Sequence, residues 1–181
     1  MFNVKRIYGV VKEISDVVKA SYRVATMTAA DYALIARPES VKELNGIYYV
    51  PFNDMLKSKG YTFACLIEGD VILTDDMFEQ LSDNAKMFLL LHELGHKENN
   101  HIEFMKERYT STQEVVKERN AMVKMNQVQR YELEADAYAL NFMSAQEVVD
   151  AIEEVNQVSY KTYYARNKEL DLRKEVMMQK L

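Results

Sequence analysis

The chain has 181 residues, 48% of them hydrophobic and 28% charged, with a net charge of −5. That length and balance fit one globular domain, 1–181, with a real core. The acidic balance and scattered basic residues argue against nucleic-acid binding and anionic membrane surfaces, and no run reaches the roughly 20 apolar residues of a membrane span.

The single cysteine, Cys65, cannot form an internal disulfide; in the apolar stretch 63–67 it reads as a small core residue. A reducing cytoplasm is the expected compartment. The apolar stretch after Lys5 and Arg6 is broken by Lys12, Glu13 and Asp16, so no signal peptide is expected.

Along the chain, helical spacing of Val10, Ile14, Val17 and Val18 predicts a helix over 10–20, and a shorter one over 29–36 ends before Pro38. Strands are expected at 47–50, 61–67 and 71–74, with a short helix over 52–58 and a tight turn at 68–70. A helical turn over 75–81 precedes a helix capped by Ser82 or Asp83. Its run 87–91 is apolar on every face, which suits a helix buried in the middle of a fold. The capping-box pattern Ser111-Thr112-Gln113-Glu114 opens a further helix that runs, with a break, to Met143. Helices over 145–155 and 166–181 close the chain. The expected fold is α+β, mostly helical, with a small three-stranded sheet before the central helix. Core motifs lie in 71–143, N-terminal helices in 1–45 and C-terminal helices in 145–181.

Chemistry concentrates in His92-Glu93-Leu94-Gly95-His96, which holds two of the three histidines. Residues i and i+4 share a helix face, so both imidazoles can reach one metal ion, with Glu93 beside it. Catalytic zinc takes three protein ligands and keeps one position for water. The remaining histidine, His101, comes five residues after His96. It would rotate off the ligand face if the helix continued. Carboxylates of 132–136, Glu132-Leu133-Glu134-Ala135-Asp136, are the better source. Glu132 and Asp136 share a face, while Glu134 points about 200° away at roughly 100° per residue. Small Ala135 lets this helix come close. Glu132 is assigned as the third ligand, with Asp136 orienting a histidine; spacing alone also permits the reverse.

HELGH followed by ELEAD resembles the gluzincin-type zinc metallopeptidases of the M48 family, with the M78-type phage and bacterial metallopeptidases a near alternative. Residues 71–96, 96–101 and 132–139 carry the resemblance. It implies a zincin-like fold, one zinc ion per chain, Glu132 as ligand, and a minimal catalytic domain without membrane helices. It also implies a metalloendopeptidase acting on a protein or peptide substrate. Zinc would lower the pKa of a water, and Glu93 would take its proton as general base. His101, Tyr131 and Tyr138 are candidate oxyanion donors. An edge strand would bind the substrate, with 71–74 the candidate. The last helix or 99–126 could cover the cleft. The competing readings are a zincin-fold regulatory protein working through a partner, and peptide deformylase. The latter is disfavoured by the setting of Cys65 and the lack of a glycine loop.

Overall fold

The computed structural model describes residues 41–51, 63–67, 71–109, 112–164 and 167–181. The helices expected over 10–20, 29–36 and 52–58 and the turn at 68–70 lie outside the described residues. The chain divides into two compact units, Met1–Glu79 and Gln80–Leu181. As expected, the fold is α+β and mostly helical. Among the described residues, no helix is long and apolar enough to cross a membrane.

The first unit holds a sheet of order β1-β2-β4-β3. Its strands are β1 (Lys42–Leu44), β2 (Ile47–Pro51), β3 (Ala64–Ile67) and β4 (Val71–Thr74). The three expected strands are all present, and β1 adds a short fourth. It pairs with β2 across Asn45 and Gly46, both at positive φ (48° and 84°). An Asn-Gly pair takes that conformation at little cost and matches the twist of a two-residue hairpin.

β4 departs from expectation. It pairs parallel with β2 (Tyr49↔Ile72) and antiparallel with β3 (Cys65↔Leu73). Its backbone groups are therefore taken on both sides, and 71–74 is an inner strand, not the open edge that a substrate strand could join. The hydrophobic run that marked it reflects burial on two faces: Ile72 and Leu73 are almost wholly buried. α1 (Asp76–Glu79) follows, capped by Asp75. Asp75 Oδ1 accepts from the backbone N–H of Met77 and Phe78, and Oδ2 from that of Phe63. The Tyr49 and Phe78 rings meet at 5.1 Å in this unit's core.

The second unit is helical: α2 (Asp83–Glu98), α3 (His101–Arg108), α4 (Thr112–Lys124), α5 (Arg130–Ala139), α6 (Ala145–Tyr163) and α7 (Lys168–Met178). The Ser82 hydroxyl caps α2, accepting from the Ala85 N–H. Phe88, Leu90 and Leu91 are fully buried, so α2 is a central helix as its apolar run predicts. The helix expected from 111 onward is split into α4 and α5. α6 runs eight residues past its expected end at 155. Polar Asn156 does not stop it, because its amide is buried and bonded to Asn167 and Asp171 at the entry to α7. α3 was not expected; it follows a break at Asn99 and Asn100.

α2 and α5 touch at Gly95. A Cβ there would lie 2.8 Å from the Ala135 carbonyl oxygen and 2.9 Å from the Ala135 Cα. Within a helix, glycine to alanine is ordinarily stabilising by roughly 0.5–1 kcal/mol. Here backbone would have to move, and overpacking of this kind costs about 1–3 kcal/mol. Gly95→Ala is therefore expected to lower the urea midpoint; an unchanged or raised midpoint would show that the two backbones do not meet at this point.

Candidate metal centre

His92 and His96 stand one turn apart on α2, and Glu132 comes from α5 across the Gly95–Ala135 contact. All three are buried. Their ligand atoms lie within 4.8 Å of one another, a group that could hold a metal ion. The Nε2 atoms are 3.0 Å apart. The Glu132 carboxylate oxygens lie 3.5 Å from His92 Nε2 and 3.9 Å from His96 Nε2. Donors about 2.0–2.1 Å from a common zinc at tetrahedral angles sit roughly 3.3–3.4 Å apart, so this donor set fits zinc by spacing as well as by chemistry.

Behind the donors is a charged layer. Asp136, one turn after Glu132 and wholly buried, accepts a 2.8 Å hydrogen bond from His92 Nδ1. Arg173, on α7, is also buried and closes on Asp136 with both Nε (2.7 Å) and Nη2. Its Nη1 reaches Glu132 at 3.4 Å. Sequence reasoning missed Arg173. The signal was an arginine inside the apolar stripe of the last helix, between Leu170 and Met177, where a solvated face would place none. So α7 does reach the centre, as a strut behind the ligands.

These contacts decide where the protons sit. Burial and the Arg173 charge oppose a proton on His92, but hydrogen bonds to Asp136 and Glu132 outweigh them and push its pKa up to about 9. Burial, then the His92 charge, pushes His96 down to about 3. Burial raises the pKa of both carboxylates, yet His92 and Arg173 together hold Glu132 well below the usual range and Asp136 below it. A carboxylate only accepts, so His92 Nδ1 carries a proton toward Asp136. His92 is the more basic of the two rings, and its Nε2 faces both His96 Nε2 and a Glu132 oxygen.

The other expected residues fall around this core. Glu93 follows His92 on α2 and is half-buried. His101 is buried, with Nδ1 3.1 Å from His96 Nδ1 and Nε2 3.0 Å from Glu134 Oε2. Tyr131 gives its hydroxyl to Gln129. Its ring stands 6.1 Å from that of His96, and burial raises its pKa. The Tyr138 ring packs on Phe142 at 5.5 Å.

Two histidines and a carboxylate from a second helix, with a glutamate following the first histidine, are the donor set of a zinc metallopeptidase. The model of peptidase family M48 matches residues 44–126. The chain is M48-like, and M48 peptidases are zinc enzymes. The match includes His92, Glu93, His96 and His101 and stops before α5, so Glu132 joins the group on geometry alone. No curated protein and no solved structure matches the chain.

Two outcomes follow from the charge layer. A metal ion bound at His92 Nε2 must displace the proton that the raised pKa of His92 puts there. Because His92 holds it up to about pH 9, loading zinc at neutral pH should release about one proton, and apparent affinity should fall as pH drops below 9. Calorimetry in buffers of different ionisation enthalpy reads this directly. In the metal-free protein the same proton stabilises the fold fully below the ordinary histidine pKa, about 6.5, and that contribution is lost as pH rises through 9. Arg173→Ala would leave two buried carboxylates short of a cation. It should cost roughly 3–5 kcal/mol in the metal-free form, measured by denaturant unfolding; a loss under about 1 kcal/mol would mean the pair is not buried in solution.

Proposed function

We propose that this chain is a zinc-dependent endopeptidase. The observation that supports it is the convergence of His92 Nε2, His96 Nε2 and the Glu132 carboxylate within 4.8 Å, with Glu93 following His92 on the same buried helix.

His92, His96 and Glu132 would hold a zinc ion, which would supply an acidified water and a Lewis acid for the scissile carbonyl. The chain's own residues do the rest. Glu93 takes the water's proton and passes it to the leaving amine, a transfer worth typically 10²–10⁴-fold in rate. Its place on α2, packed by Phe88, Leu90 and Leu91, holds it fixed relative to His92 and His96. Asp136 keeps His92 turned with Nε2 inward, and Arg173 keeps Asp136 and Glu132 ionised. His101 and Tyr131 commit their polar atoms to protein partners and are not assigned as oxyanion donors. The substrate is a peptide or protein segment.

Glu93→Gln separates binding from chemistry. The variant is expected to hold zinc as the parent does and to cleave casein or a peptide library at least about 100-fold more slowly. Cleavage at the parent rate, or a parent protein that takes up no zinc, would sink the proposal.

A further inference from the structure

His92 has a carboxylate behind it; His96 does not. Its Nδ1 faces His101 Nδ1 at 3.1 Å instead, and the two rings meet edge to face with centroids 5.2 Å apart. His101 Nε2 in turn lies 3.0 Å from Glu134 Oε2, and the other Glu134 oxygen is gripped by Arg130 Nε at 2.6 Å. His101 is 4% exposed, so its ring nitrogens cannot rely on water.

Chain geometry explains how a histidine five residues on returns to the ligand. On an unbroken helix it would stand about 140° away from His96 at roughly 100° per residue. But α2 ends at Glu98. The Asn99 side chain caps the Gly95 carbonyl, and Asn100 adopts the left-handed conformation at φ 56°. Asparagine is one of the few residues that tolerate it. The chain turns there, and His101 opens α3 with its ring against His96.

We infer that His101 and Glu134 are positioning residues for the metal ligand His96, matching on the second histidine what Asp136 does for the first. The inference rests on the metal reading above. Assigning His96 Nε2 to the metal sets the proton order along the relay. His96 Nε2 faces the metal position, so its proton is on Nδ1 and donates to His101 Nδ1. That leaves the His101 proton on Nε2, where it donates to Glu134. With His101 removed, His96 loses the acceptor that selects its tautomer, and its ring is free to present the wrong nitrogen.

Zinc affinity by chelator competition tests this, together with imidazole ¹H–¹⁵N correlation spectra of the metal-free protein. His101→Leu should weaken zinc binding by about 10–100-fold and scramble the His96 tautomer. His101→Asn, whose amide oxygen can stand where Nδ1 stood, should remain close to the parent. Glu134→Leu changes a partly exposed side chain and should fold even where His101→Leu does not; it should weaken zinc binding several-fold. Parent-like affinity in the leucine variants, or an unchanged His96 tautomer in them, overturns the inference. A parent protein that binds no zinc overturns the metal reading instead, and the tautomer spectra still judge the relay.

Discussion

The centre depends on two helices meeting with nothing between them. At Gly95 the α2 backbone lies against the Ala135 backbone of α5, with no room for a single methyl group. Glycine weakens a helix, and one buried in the last turn of α2 needs a reason. The reason is reach. A glutamate side chain is short, and only a close crossing lets Glu132 come within 4 Å of both imidazoles. Ala135, between Glu132 and Asp136 on the facing helix, is small for the same purpose.

Charges of both signs are buried together behind the ligand atoms. Two carboxylates, Glu132 and Asp136, face two cations, Arg173 and protonated His92. Burying that many charges is tolerable only because each has a partner. Contacts of Asp136 with His92 Nδ1 and of His101 with His96 Nδ1 hold the two rings converged. A site preorganised in this way gives up less entropy on binding.

The parts of this arrangement that could be read from the chain are those encoded locally. HELGH and ELEAD each place side chains by the helical repeat alone, and the Ser82 cap and the apolar run 87–91 mark α2 without reference to the rest of the fold. What escaped depends on distant pairing or on a single backbone angle. Whether 71–74 lies inside the sheet or at its edge is decided by β2 and β3, which its own residues do not specify. The turn at Asn100 hides in a stretch that otherwise reads as continuing helix, and without it His101 points away. Arg173 looks like one more charge on a charged helix, and only its place in the apolar stripe hints otherwise. The Asn45-Gly46 pair was a hairpin signal of the strongest local kind, and it brackets the strand that went unread.

Arg173 also bears on the order in which the molecule comes together. It lies 81 residues beyond His92 and 41 beyond Glu132. A chain leaving the ribosome presents HELGH and ELEAD well before α7 exists. The loop of 41 residues from Glu132 to Arg173 is no longer than the 44 from His92 to Asp136, so it is the order of synthesis, not loop entropy, that brings Arg173 last. Until α7 docks, Glu132 and Asp136 lack one of their two counter-cations and have reason to stay in water. Completion of the charge layer is then tied to the end of folding, and a nascent chain carries both motifs without a finished centre.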